Sequence, residues 1–206
     1  AVPRDGGAVR EVTALDGVES YTLSPDGNQA LVHWSSAYTP PQLATVPTGG
    51  GEAHRLTDTR PAEFRARAWI QPQYVQVPST HGAGAIWAKL YKPAALEPGR
   101  KYPVVMFVHG AGYLQNVSAR YPNYFREQMF NNLLVQQGYV VLDMDYRASE
   151  GYGRDWRNAI YERMGTPELE DYMDGVNWMV ANQQGDASNV GIYGGSVLLA
   201  IKPGEG

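Results

Sequence analysis

Ser196 is the residue of this chain best set for nucleophilic chemistry, because the run N-V-G-I-Y-G-G-S-V-L-L (189–199) delivers it from a short apolar segment through two glycines. Glycines allow a turn too tight for a Cβ, and such a turn holds a serine hydroxyl at its apex, clear of the sheet. An acyl-transfer serine also needs a base within hydrogen-bond reach, a group that orients the base, and donors aimed at the developing oxyanion. The donors are legible. The N–H of Val197 begins the helix that the turn predicts, and the glycine-rich turn after His109 (Gly110-Ala111-Gly112) can present backbone N–H groups. His109 has two readings, as the base or as a brace that holds its own loop through the ring nitrogens. The usual G-x-S-x-G pattern is incomplete here, since Leu198 stands where a second glycine would let the next helix pack on the strand. A bare G-x-S also occurs in ordinary Gly-rich turns, so the assignment leans on the upstream chain.

Other polar clusters have structural readings. Asp143 and Asp145 could form an acid pair or a Mg²⁺ site, but Arg147 and Arg154 nearby favour ion pairing. Glu168, Glu170, Asp171 and Asp174 complement the dipole of a helix N-terminus. The four histidines (His33, His54, His81, His109) are scattered and there is no cysteine, so neither a metal site nor a disulfide framework is expected. No phosphate loop or dinucleotide fingerprint is present, and no cofactor is expected.

The elements that would position Ser196 follow from periodicity. Residues 1–17 read as a connector. Tyr21 and Leu23 lead into the turn Ser24-Pro25-Asp26-Gly27, after which Ala30, Val32 and Trp34 alternate, predicting a hairpin. A second pair spans Leu43 to Val46 and Ala53 to Leu56, giving four short antiparallel strands, the size of one propeller blade. Arg60 to Ile70 reads as a linker with solvated arginines. Tyr74 to Val77 and Ala85 to Tyr91 alternate as strands. Pro103 to Val108 and Tyr139 to Met144 are continuously apolar, as in strands buried on both faces of a parallel sheet, and Val190 to Tyr193 is expected to be a third. Between them Phe125, Met129, Leu133 and Leu134 predict a helix begun by Pro122 and stopped at Gly138. A second helix shows an apolar face from Leu169 to Val180, with Thr166 as its N-cap. Trp156 and Trp178 read as core. The order is strand, His-Gly loop, helix, strand, helix, strand, Ser turn, which specifies a parallel α/β sheet with both loops at its carboxyl end. The expected division is a β-rich segment and linker, 1–66, and a partial α/β-hydrolase domain, 67–206.

Composition fits a globular protein: 43% hydrophobic residues, 18% charged, and a net charge of −4, which argues against a nucleic-acid partner. No window approaches a membrane span, and the N-terminus has no signal pattern, so a soluble protein is expected, cytoplasmic or, after removal of a signal, periplasmic or secreted.

The segment D-Y-R-A-S-E-G-Y-G-R-D-W (145–156), followed by Met164-Gly165-Thr166, Glu170-Asp171 and V-G-I-Y-G-G-S, resembles the hydrolase domain of the prolyl oligopeptidase family, in its dipeptidyl peptidase IV branch. K-Y-P-V-V-M-F-V-H-G-A-G is similar to that family's strand and oxyanion loop, and S-P-D-G with its hairpins to its last propeller blade. The resemblance covers about Glu19 to Ser196. It implies a serine hydrolase, a peptidase with possible esterase activity, that forms an acyl-enzyme on Ser196 and releases short peptides from substrate N-termini. Val197 would then supply one oxyanion amide and the loop of His109 and Gly110 the second donor, with the tyrosine version of that donor absent. The family's G-x-S-Y-G-G departs here to Ser196-Val197-Leu198-Leu199, and its acid and histidine lie downstream of the serine, where ten residues remain. The sequence therefore reads as truncated, with an unrelated tail. An alternative is a catalytically incomplete fragment that acts only as a self-associating structural module, and a homo-oligomer is expected because the last strand would leave an apolar edge and face.

Overall fold

A computed structural model of the chain describes residues 1–195, which gather into two units, 1–69 with 118–122, and 70–117 with the chain from 123 on. In the first unit, β1 (Val18–Leu23), β2 (Gln29–Ser36), β3 (Thr39–Pro47) and β4 (His54–Arg55) form an antiparallel sheet in sequence order, a propeller-like meander. Its first turn is tied by Asp26, which accepts from Ser24 Oγ at 2.6 Å and from Asn28 N–H at 3.1 Å. Ala30, Val32 and Trp34 of β2 and Ala44 and Val46 of β3 share one buried face. The fourth strand is shorter than the sequence predicts. Leu56 N–H still donates to Leu43 O at 2.8 Å, and beyond it the buried Gln42 holds the chain, its Oε1 accepting from Thr57 Oγ1 at 2.7 Å and from Thr59 N–H at 3.1 Å. The expected linker contains a short helix, α1 (Ala62–Arg65), and Arg60 is a forked partner of Asp58, at 2.8 and 2.9 Å, instead of a solvated side chain.

The second unit is built on a five-stranded sheet in the order β5-β6-β8-β7-β9, with β5 (Gln73–Pro78), β6 (Ala85–Tyr91), β7 (Tyr102–Val108), β8 (Val140–Met144) and β9 (Gly185–Gly194). The hairpin β5–β6 joins β8 antiparallel, while β8, β7 and β9 run parallel. Helices α2 (Phe125–Gln136), α3 (Arg154–Arg157) and α4 (Pro167–Asn182) fill the connections. Because alternate side chains of a strand point to opposite faces, Val104, Met106 and Val108 pack in one cluster with Leu142, Met144 and the α4 residues Tyr172 and Met179. Val105 and Val141 pack in another with Tyr91 and Val135 of α2. No helix among the described residues is long and apolar enough to cross a membrane.

Four local expectations are corrected. Helix α2 buries its polar side: Gln128, Asn131, Asn132 and Val135 are inside, whereas Met129, Phe130 and Leu133 are exposed. Each buried amide has a partner, Gln128 from Tyr91 OH, Asn131 from Tyr193 OH, and Asn132 from Ile70 N–H at 2.7 Å. Satisfied in this way such groups are tolerated, whereas an unsatisfied one would cost about 1–3 kcal/mol. The helix starts at Phe125 and not near Pro122, and Gly138 follows its C-terminal cap with φ 87°. At α4 the Thr166 side chain makes no capping bond, its backbone lying in the helical region (φ −95°, ψ −61°) and not in the extended geometry of a cap, while Glu168 reaches back to accept from Gly165 N–H at 2.9 Å. Lastly, β9 is not buried on both faces. Among the described residues it is the sheet's edge, and Val190 and Ile192 are 41% and 40% exposed.

Candidate functional site

The parallel pairing of β7 with β9 sets Val108 opposite Gly194, and the N–H of Gly195 donates to Val108 O at 3.2 Å. The approach is so close that a Cβ on Gly194 would lie 2.0 Å from Val108 O, a backbone atom, so only glycine fits. The two strands therefore end side by side. His109 and Gly110 continue from one, and Gly195 from the other; Ser196 and Val197, the predicted nucleophile and amide donor, lie outside the described residues.

His109 is fully buried, and both ring nitrogens are engaged. Nδ1 lies 2.8 Å from Gly110 O, and Nε2 lies 3.1 Å from Asp145 Oδ1 and 3.3 Å from Ser149 Oγ. The ring stacks on Tyr146 at 4.9 Å, and Tyr146 OH donates to His109 O at 2.7 Å. Burial, the largest single influence, pulls the imidazole pKa down, but the hydrogen bond and charge of Asp145, the charge of Asp143 and the Gly110 carbonyl together push it up by more, and the net shift is upward. With carbonyl and carboxylate oxygens facing the two nitrogens, the charged ring satisfies both by donating.

Asp145 anchors the loops around this pair. It accepts from Asn116 N–H at 2.8 Å, Val117 N–H at 3.1 Å and Tyr152 OH at 2.8 Å. Asp143 takes only Asn116 Nδ2, on Oδ2, and its other oxygen has no partner; burial raises it to about 6, opposed chiefly by the positive charge of Lys89, its register partner across the sheet. The arginines expected to pair with these acids are elsewhere. Arg147 binds Asp171 and Glu170, at 2.9 and 2.7 Å, and Arg154 binds Asp155 at 2.9 Å. Nor do the α4 acids merely complement a dipole. Glu168, Asp171 and Asp174 are buried, and Asp174 accepts from Thr80 N–H at 2.8 Å and Thr80 Oγ1 at 2.6 Å, tying the β5–β6 turn to the helix.

Gly110 is buried, and its N–H meets Tyr124 OH at 3.4 Å, a long and weak contact that an incoming oxygen could replace. Sequence reasoning missed Tyr124, Asn116, Ser149, Tyr152 and Lys89. Ser149 and Tyr152 sit in the D-Y-R-A-S-E-G-Y run whose regularity was visible, and Lys89 is a lysine inside a strand otherwise buried at Ala88, Leu90 and Tyr91. Asn116 and Tyr124 carry no sequence signal, since their partners are far away in the chain. Among the described residues, no group of three His, Cys, Asp or Glu side chains is arranged to hold a metal.

A parallel β8-β7-β9 core extended by an antiparallel hairpin, with helices in its crossovers and the His109 loop and the Gly194-Gly195 turn side by side at its carboxyl end, is a partial α/β-hydrolase sheet. The chain is related to the prolyl oligopeptidase family, whose sequence profile matches residues 125–197. It is 35% identical over 131 residues to dipeptidyl peptidase 8 of Mus musculus, a match covering 62% of this chain and 14% of that protein. It is 26% identical over 205 residues to the acylamino-acid-releasing enzyme of Sus scrofa, covering 95% and 27%. Among solved structures, dipeptidyl peptidase 4 of Porphyromonas gingivalis superposes with a TM-score of 0.71 at 25% identity, covering 88% of this chain and 25% of that one. The chain thus spans about a quarter or less of the length of these relatives.

Proposed function

We propose that this chain carries the nucleophile side of a serine hydrolase of peptidase type, which forms an acyl-enzyme on Ser196 and also accepts activated esters. The observation that carries the reading is the Val108–Gly194 pairing, which ends β9, two residues before the serine, against the strand that runs into His109 and Gly110. In this reading the amides of Gly110 and Val197 stabilise the oxyanion, and His109 braces the loop. It is not the base, because a proton acceptor needs an open nitrogen and neither of its nitrogens is open. The names of the relatives, dipeptidyl peptidase and acylamino-acid-releasing enzyme, support a substrate attacked near its N-terminus. The test is hydrolysis of p-nitrophenyl acetate by the chain beside Ser196→Ala, with the mass of each taken after fluorophosphonate treatment. An ester leaving group needs little protonation, so serine-dependent turnover and a single adduct are expected there first. Equal rates and no adduct would reduce Ser196 to a turn residue.

A second reading is self-association, favoured by the half-exposed Val190 and Ile192 on β9. Light scattering across a concentration series tests it: a dimer supports pairing through this edge, and a monomer at every concentration removes it.

A further inference from the structure

Tyr146 is fully buried, and a buried hydroxyl must place its one proton on an acceptor. It places it on His109 O, at 2.7 Å. Strand β7 ends at Val108, so this carbonyl is the first beyond the strand, and Tyr146 gives it the bond that a strand residue would receive from the ladder. The tyrosine ring is held by two neighbours, stacked on the His109 imidazole at 4.9 Å and packed against the Tyr172 ring at 5.3 Å. Its backbone is held too, since Tyr146 O accepts from Ser149 N–H at 2.9 Å and from the Trp156 indole at 3.0 Å.

The His109 carbonyl and the Gly110 N–H belong to one peptide plane. In a trans peptide the two point in opposite directions, and the described residues contain no cis bond. Whatever holds the carbonyl thus aims the amide. Gripped at His109 O by Tyr146, the plane turns the Gly110 N–H the other way, toward Tyr124 OH at 3.4 Å. Tyr124 lines a cleft together with Gly194 and Gly195, the residues that lead to Ser196. The next plane is held as well, because Gly110 O faces His109 Nδ1 at 2.8 Å. Without these two contacts a glycine, lacking a Cβ, would leave both planes free to turn.

We infer that Tyr146 is a positioning residue for the acyl transfer: by holding the His109 carbonyl, its hydroxyl aims the Gly110 N–H at the substrate oxygen. The inference rests on the reading of Gly110 as an oxyanion donor. Such a donor helps only when it already points at the place where charge develops, so its worth lies in this aim. Tyr172 provides a matched comparison. Its hydroxyl, likewise buried, donates to Phe107 O at 3.0 Å, but the peptide it holds, between Phe107 and Val108, lies inside β7 and not in the loop.

Tyr146→Phe and Tyr172→Phe each delete one buried hydroxyl and keep the ring, so both are expected to fold with a similar, modest loss of melting temperature. Residual dipolar couplings of the full chain, with the amides of β6, β7 and β8 as the frame, give the direction of the Gly110 N–H. Turnover of p-nitrophenyl acetate is measured on the same samples. In Tyr146→Phe the Gly110 coupling should leave its parent value and kcat should fall about 10- to 100-fold, with KM within about 2-fold of the parent. Tyr172→Phe should keep both the coupling and kcat. A Gly110 coupling that stays put in Tyr146→Phe, or that Tyr172→Phe shifts as much, would overturn the inference. So would a displaced Gly110 with an unchanged, Ser196-dependent kcat, since the amide would then have no part in the reaction. Parent turnover that Ser196→Ala fully retains retires the acyl-enzyme instead, and the coupling alone then decides whether Tyr146 aims the amide.

Discussion

His109 Nε2 lies 3.1 Å from Asp145 Oδ1, and neither side chain is reached by solvent. A buried pair of this kind is expensive to break from one side, because the remaining partner keeps its desolvation cost and loses its compensation; the usual penalty is about 3–5 kcal/mol. His109→Ala and Asp145→Ala are each expected to lose that much by urea denaturation, and the double variant to lose less than the sum of the two. The pH dependence has a definite sign. The folded-state pKa of His109 is raised above its ordinary 6.5, so its contribution is complete below 6.5 and is lost as pH rises through the folded value. Parent stability should fall on the alkaline side of 6.5 relative to His109→Phe. A constant difference between the two across pH 6 to 9 would show that the fold does not raise the His109 pKa, and parent stability that rises through 6.5 would show that the ring is held neutral.

Asp143 gives a second, separable slope. Its carboxyl titrates at about 6 in the fold against 3.8 in the free side chain, so the folded state binds the proton more tightly, and stability falls as pH climbs between those values. Over that window the effect amounts to about 3 kcal/mol. Asp143→Asn cannot ionise, so its stability relative to the parent should improve steadily from pH 4 to 6 and level off above. A flat difference over this range would mean that Lys89 keeps Asp143 charged throughout.

Ala148 holds φ at 114° while fully buried. A side chain in that region costs about 1–3 kcal/mol, comparable with the buried methyl and backbone freedom lost on going to glycine. Ala148→Gly should therefore leave the melting temperature within about 2 °C of the parent, or raise it. An ordinary penalty of 5 °C or more, followed by circular dichroism, would show that the backbone there is relaxed.

Gly194→Ala forces a methyl onto the Val108 carbonyl. Since the clash is backbone against backbone, β9 must shift away from β7, and a loss of about 2–4 kcal/mol is expected. Amide exchange should quicken at Gly195, whose N–H bonds to that carbonyl, while β5 and β6 keep their protection. Unchanged protection at Gly195 would rule out the tight pairing.

How much of this was legible in the sequence depended on how local the cause was. The continuous apolar run from Pro103 to Val108 was enough to predict a strand buried on both faces, and the glycine pair before Ser196 marked a turn whose tightness the Val108 contact explains. The α2 helix defeated the same logic. Apolar spacing names an inside face only when no polar competitor is better satisfied there, and Gln128, Asn131 and Asn132 are satisfied by Tyr91, Tyr193 and Ile70, each more than thirty residues away in sequence. The acid pairings failed for a related reason. Arg147 follows Asp145 by two residues, but both lie beyond the end of β8, where Arg147 turns to Asp171 and Glu170 of α4 and the partners of Asp145 come from His109, Asn116 and Tyr152.

Because α2 turns Met129, Phe130 and Leu133 outward, dyes that brighten on apolar surfaces should bind the native protein before any heating begins. A bright signal at low temperature is then no sign of a loosened core, and unfolding followed by such a dye would start from a raised baseline that hides the transition. Tryptophan emission suits the second unit better. The Trp156 indole donates to Tyr146 O beside the His109 ring, so its spectrum would report the loss of that network as the fold comes apart.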